Sequence, residues 1–190
     1  MKVLAINGSA RRNGNTAILL EAALAPLREA GIETETVALA GKRIGPCRAC
    51  WGCAGRRNCV QPDDFQAIFE KMTAADGLLF ASPVYLANLS SSMQALLERA
   101  AVAADGNPGR FRRKAGASLA VAHRAGALHA VDAMNHFFLN RDCVIAGSTY
   151  WTVAYGTAAG EVREDGEGLR TARRAGENLA WLLRLMEKEA

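Results

Sequence analysis

The sequence predicts an α/β protein, a doubly wound parallel sheet of five strands, and three observations carry that reading. Short apolar runs alternate five times with segments of helical periodicity. Several runs are apolar at every position, as strands covered on both faces must be. No internal repeat or second domain breaks the series, so residues 1–190 are expected as one domain, with a cysteine-rich loop over 40–62.

The first run, "KVLAIN" (2–7), is a strand that ends in "GSARRNGNT". "NTAILLEAALAPLREAG" then spaces Ile18, Leu19, Ala22, Ala23 and Leu27 as one helical face. Asn15 or Thr16 suits its N-cap and Gly31 its stop, while Pro26 is expected to bend or shorten it. "ETETVAL" (33–39) alternates like a strand, and the loop over 40–62 follows. "PDDFQAIFEKMTAAD" reads as a helix opening on Asp63 and Asp64, carboxylates that suit the positive end of its dipole. "GLLFAS" (77–82) is a strand stopped by Pro83, and "SSSMQALLERAA" a helix. "AGASLAVA" (115–122) is the fourth strand, "LHAVDAMNHFFLNRD" a helix and "CVIAGS" (143–148) the fifth strand. About 20 residues ending "LAWLLRLMEKEA" form the last helix, with Leu179, Leu182, Leu183 and Met186 on its apolar face. Five such units fit the flavodoxin-like strand order 2-1-3-4-5, in which ligands bind at the carboxyl ends of the strands.

Half the residues are hydrophobic and 22% are charged, the balance of an ordinary globular protein. No run reaches the ~20 apolar residues of a membrane span, and "MKVLAINGS" is too short for a signal peptide. A cytoplasmic protein without membrane contact is therefore expected. The net charge of +4 peaks at Lys42–Arg43, Arg48, Arg56–Arg57 and "RFRRK" (110–114), without a nucleic-acid reading motif.

Two segments carry chemistry. "GSARRNGNT" lies between a strand and a helix, where backbone N–H groups and the helix N-terminus make an anion site. It has neither the Lys of a P-loop nor the G-x-G-x-x-G spacing, so ATP, GTP and NAD folds are disfavoured. "CRACWGCAGRRNC" puts four of the five cysteines, Cys47, Cys50, Cys53 and Cys59, within thirteen residues. In a reducing compartment such a cluster points to metal or redox chemistry rather than disulfides. Structural zinc more often uses two separated pairs. A C-x2-C-x2-C run with a fourth cysteine close by instead suits a single [4Fe–4S] cluster, with zinc, free thiols or a disulfide as alternatives. Cys143 opens a strand and reads as a buried structural thiol. His123, His129 and His136 lack metal-helix spacing.

The first loop resembles the "GSxRxxGNT" phosphate loop of the NADPH-dependent FMN reductase superfamily. The resemblance implies FMN, with its phosphate held by Ser9, Arg11, Gly14, Asn15 and Thr16. "ASPVYLANLSSSMQALLER" resembles that superfamily's "SPVY" segment and implies flavin contacts from Pro83, Val84, Tyr85 and Asn88. "HRAGALHA" is similar to its R-x-G-G loop; Ala127 replaces the second glycine, so only Arg124 and Gly126 carry over. With the cysteine loop placed after the second strand, the chain resembles the iron–sulfur flavoproteins, along nearly its whole length, including "IAGSTYW" and "GEVREDGEG". That resemblance implies Cys47, Cys50, Cys53 and Cys59 as cluster ligands and electron transfer between a redox partner and the flavin, with no catalytic side chain needed. The charges of Arg48, Arg56 and Arg57 would offset a cluster's negative charge or attract an acidic, ferredoxin-like donor. NAD(P)H is the other expected donor, a small molecule the acceptor, and the resemblance suggests a homodimer or homotetramer. The cysteine loop is expected on the flavin's side of the sheet, or reaching a neighbouring subunit's flavin. An NAD(P)H-dependent FMN or quinone reductase without a cluster, and a zinc-stabilised binding module, are the competing readings.

Overall fold

In the computed structural model, which describes residues 1–56 and 58–188, the strands lie parallel in the order β2-β1-β3-β4-β5. The elements are β1 (Lys2–Asn7), α1 (Asn15–Glu29), β2 (Glu33–Ala38), α2 (Phe65–Ala74), β3 (Gly77–Pro83) and α3 (Ser91–Asp105). After them come β4 (Ala115–Ala122), α4 (Ala127–Asn140), β5 (Val144–Ile145), β6 (Val153–Tyr155), a 3-10 turn (Glu161–Glu164) and α5 (Gly166–Lys188). This is the flavodoxin-like arrangement that the alternation predicts.

The strand pleat divides the core in two. Leu4, Ile6, Leu78 and Phe80 face α2, α3 and α4, where Phe80 stacks on Phe138 with centroids 4.6 Å apart. Val3, Ala5, Leu79 and Ala81 face α1 and α5, against Leu20, Leu24, Leu179 and Leu183. Burying each such Leu or Phe stabilises the fold by roughly 1.5–3 kcal/mol. β2 is the exposed edge; its Glu33 and Glu35 pair with Lys2, and Glu35 also with Lys71. No described helix is long and apolar enough to cross a membrane.

Three details depart from the sequence reading. Gly14, not Asn15 or Thr16, takes the N-cap position of α1, with no side-chain cap. The buried Pro26 does not end that helix, which runs on to Glu29 before the chain turns at Gly31 (φ +78°). The strand expected over 143–148 is only Val144–Ile145; Ala146 and Thr152 still bond β4 through their backbones, residues 147–151 between them leave it, and β6 resumes against the same β4. Gly147, Ser148 and Thr149 give that excursion little to bury, and its aromatics Tyr150 and Trp151 stand about half exposed. Ser148 donates instead to the Thr171 carbonyl of α5 at 2.7 Å.

Candidate functional site

The loop after β1 is held open by its own polar side chains. Asn7 Oδ1 accepts the Ser9 N–H at 3.0 Å, Ser9 Oγ accepts the Arg11 N–H at 3.1 Å, and the Gly8 N–H donates to the Ala81 carbonyl at 2.8 Å. These bonds set the curve of the loop and leave a row of donors over. Among the described residues no acceptor meets the N–H groups of Ala10, Arg12, Asn13, Asn15 or Thr16. Such a row at a helix N-terminus is a cradle for an anion. Ser9, Gly14 and Thr16 are buried beneath it, and Arg11 stands exposed at its rim.

Asn15 has a different role from the expected phosphate contact. Its Nδ2 donates to the Ala158 carbonyl at 2.8 Å and its Oδ1 accepts the Gly160 N–H at 2.7 Å. The side chain therefore ties the cradle to the loop after β6, and only its backbone N–H remains for a ligand. That loop, residues 156–160, belongs to the site and was missed by the sequence reading, because nothing periodic marks it. Glu161 fixes it from below by accepting the Thr157 and Ala158 N–H groups at 2.5 and 2.7 Å.

Across the edge, β3 ends at Pro83. Val84 donates to the Val121 carbonyl at 2.8 Å, and Tyr85 and Asn88 close a tight turn on each other. Its two central residues, Leu86 (φ +49°) and Ala87 (φ +58°), are left-handed, a strained conformation for residues with a Cβ. Leu86 is fully exposed and Tyr85 half exposed. Gly126 (φ +83°) packs directly on this turn: a Cβ there would lie 2.6 Å from Ala87 Cα. Arg124 is exposed beside it, and His123 meets the Thr157 hydroxyl. The loops after β1, β3, β4 and β6 thus meet at one edge and gather the predicted flavin contacts, with Pro83 and Val84 half-buried and Asn88 exposed.

The cysteine loop starts at that edge, where Arg12 donates to the Ala40 carbonyl at 3.4 Å, and then turns down along α3. Glu98 accepts the Cys47 N–H at 2.7 Å, and Asn107 donates to the Cys53 carbonyl at 3.1 Å. Gly55 donates to the Gly106 carbonyl at 3.0 Å. Glu98 lies about 10 Å along α3 from its start, at ~1.5 Å per residue, and Gly106 lies beyond its end. The sulfurs therefore sit over the middle and far end of α3, not beside the chain's own cradle. The loop thus emerges at the expected edge, and hydrogen bonds to α3, which no spacing in the loop reveals, set its course from there.

The central anchor is Arg99. Its guanidinium donates to Asp63 Oδ2 at 2.5 Å, to the Gly45 carbonyl at 3.3 Å and to Cys59 Sγ at 3.2 Å. It also lies over the Phe65 ring, 4.2 Å from the centroid. Burial works to raise the Cys59 thiol, but the Gln61 N–H and Arg99 outweigh it and hold the thiol below its usual range. Burial first, with the nearby Cys59, Cys47 and Cys50 behind it, pushes the Cys53 thiol up. Cys50 is exposed and lies between two left-handed residues, Ala49 (φ +49°) and Trp51 (φ +53°). Arg57 of the basic peak lies outside the described residues.

No three Cys, His, Asp or Glu side chains among the described residues converge as a single-ion site requires. The donor set nonetheless suits an iron–sulfur group in kind. Between residues 47 and 59 there are four thiols and no carboxylate or imidazole. The buried Arg99 Nε–H beside them has no acceptor. That leaves one buried donor for a group the described residues do not supply.

A 2-1-3-4-5 parallel sheet with an anion cradle after β1 and a tight turn after β3 defines a flavodoxin-like nucleotide-binding protein. The sequence profile of that class described as NADPH-dependent FMN reductase matches residues 1–158. The chain belongs to this family of FMN-dependent oxidoreductases. It is 35% identical to an iron–sulfur flavoprotein of Methanocaldococcus jannaschii, over 99% of this chain and 100% of that one. It is 31% identical to an iron–sulfur flavoprotein of Methanosarcina thermophila, over 99% and 98%. Among solved structures, a flavone reductase superposes with a TM-score of 0.74 at 20% identity, covering 98% of this chain and 64% of that one. A WrbA-like flavodoxin of Agrobacterium tumefaciens gives 0.63 at 12% identity, over 97% of each.

Proposed function

We propose that this protein is an electron-transfer flavoprotein that binds FMN at the β1, β3 and β4 loops and a [4Fe–4S] cluster on Cys47, Cys50, Cys53 and Cys59. The observation that carries the reading is the pairing, in one chain, of a row of N–H donors that the described residues do not meet with a thiol loop pinned to α3. When bound, FMN supplies one- and two-electron chemistry and the cluster one-electron chemistry.

The chain's own residues do the positioning. The free N–H groups of Ala10, Arg12, Asn13, Asn15 and Thr16 hold the phosphate, with Ser9, Gly14 and Thr16 shaping the cradle and Arg11 adding charge at its rim. Pro83, Val84, Tyr85 and Asn88 form the wall for the flavin ring. Gly126 lets the β4 loop close on that wall, and Arg124 offers a cation near the ring. The likeness to proteins named iron–sulfur flavoproteins supports the role of the four cysteines. Their place along α3, away from the chain's own cradle, favours a homo-oligomer in which the loop faces a neighbouring copy's flavin. The exposed Arg48 and Arg56 beside the thiols suit an acidic, ferredoxin-like donor. A small molecule is then the acceptor.

The second reading, an NAD(P)H-dependent reductase that needs no cluster, is favoured by the family description alone. Alanine substitutions separate the two. Changing Cys47, Cys50, Cys53 or Cys59 singly is expected to abolish the iron-dependent absorption and the reduction by a one-electron carrier, while Cys143→Ala spares both. Wild-type rates with NAD(P)H in all five variants, and no reaction with the carrier in any protein, would establish the second reading instead.

A further inference from the structure

Among the described residues, Arg99 is the only charged side chain that is fully buried, at 2% exposure. Burying a guanidinium is expensive unless charge and hydrogen bonds are both met. Asp63 meets the charge, and the Gly45 carbonyl takes another N–H. If the group only pinned the loop, those two contacts and the Phe65 ring would suffice. Yet a further N–H points at Cys59 Sγ at 3.2 Å, and the Nε–H is left without an acceptor. Arg99 comes from a helix 40 residues beyond Cys59, so the fold delivers this cation to the sulfur.

We propose that Arg99 is a positioning residue of the sulfur site: it holds the Cys59 sulfur by a charge-assisted N–H···S bond and favours added negative charge there. The inference rests on the reading of the four cysteines as cluster ligands. Hydrogen bonds to ligand sulfurs and local net charge set the potential of such a cluster. A cation against one ligand stabilises the reduced, more negative state and raises the potential. Asp63, 2.5 Å from the guanidinium on its other side, offsets part of that effect.

The opposed charges make the test specific. Arg99→Gln, Arg99→Lys, Asp63→Asn and the double variant Arg99→Gln/Asp63→Asn are purified without oxygen, and iron, sulfide and FMN are assayed in each. The cluster is then titrated with a chemical reductant and followed by electron paramagnetic resonance, and FMN by its visible spectrum. Arg99→Gln is expected to shift the cluster's one-electron equilibrium about tenfold towards the oxidised form, ~59 mV lower. Asp63→Asn is expected to shift it the opposite way, the double variant to return towards wild type, and Arg99→Lys to keep most of the wild-type potential. The FMN potential should stay the same throughout. A packing role would move both single variants in one direction or neither, and either result overturns the inference. If Arg99→Gln fails to load a cluster, the direction of the Asp63→Asn shift decides. A wild-type protein without iron and sulfide defeats the four-cysteine reading and this inference with it; a loaded wild type with unmoved variants defeats only the role of Arg99.

Discussion

Replacing Gly126 with alanine should weaken FMN binding far more than it destabilises the fold. Gly126 holds φ +83°, which costs a residue with a Cβ roughly 1–2 kcal/mol. The new methyl would also lie 2.6 Å from Ala87 Cα and 3.0 Å from Ala87 Cβ, contacts with backbone that no rotamer change relieves. Overpacking of this kind costs about 1–3 kcal/mol. Ala87 and Leu86 already hold left-handed angles in a two-residue turn, so the turn has little room to adjust in place. It sits at the surface, with Leu86 fully exposed, and so it can swing outward. That movement displaces the wall built by Tyr85 and Asn88. The loss then falls on ligand affinity: a penalty of about 2 kcal/mol corresponds to roughly 30-fold at ~1.4 kcal/mol per decade. The assay is a titration of apoprotein with FMN, read by quenching of flavin fluorescence. Gly109→Ala is the control, because Gly109 has φ +85° but open space around its Cβ direction. Equal FMN affinity for wild type, Gly126→Ala and Gly109→Ala would show that the Gly126–Ala87 contact does not hold the flavin wall in place.

Three further outcomes follow from individual contacts. Ser90→Ala removes a buried hydroxyl that accepts the Met93 N–H as the α3 cap and donates to the Gly8 carbonyl at 2.7 Å. A loss of about 2 kcal/mol is expected, or a melting midpoint ~4–8 °C lower at this chain length; an unchanged midpoint contradicts it. Burial acts to raise the Asp63 carboxyl, but Arg99 and the Gly45 and Phe65 N–H groups overcome it and leave the group below its ordinary value. Its stabilising effect is therefore complete above the unfolded value of ~3.9 and is lost as pH falls through the lower folded value. Acid unfolding curves of wild type should steepen below about pH 4, and those of Asp63→Asn should lack that component. Burial pushes the Cys143 thiol up to about 11. In metal-free native protein at mildly alkaline pH, alkylation followed by mass spectrometry should modify Cys50 early and leave Cys143 intact; early labelling of Cys143 would disprove its protected state.

The sequence made the sheet legible because its strands are near-continuous apolar runs, and β4 ends where "AGASLAVA" ends. It also exposed the cradle and the thiol loop, since both consist of special residues at short spacing. What stayed hidden depends on contacts between distant segments. Asn15 looked like a phosphate ligand, yet its amide bonds Ala158 and Gly160, more than 140 residues away. Arg99 sat in an ordinary helical pattern, and only the folded loop reveals its contact with Cys59. The split of the fifth strand escaped because Val144–Ile145 and Val153–Tyr155 are too short to show a period. The direction of the cysteine loop depends likewise on distant residues: Glu98, Gly106 and Asn107 of the α3 region steer it.

The central claim is that one chain holds both a flavin and an iron–sulfur cluster. Its most direct measurement is the content of FMN, iron and acid-labile sulfide per chain after purification without oxygen. About one FMN, four irons and four sulfides are expected. One FMN with neither iron nor sulfide would contradict it and leave a flavin reductase whose cysteine loop serves another purpose.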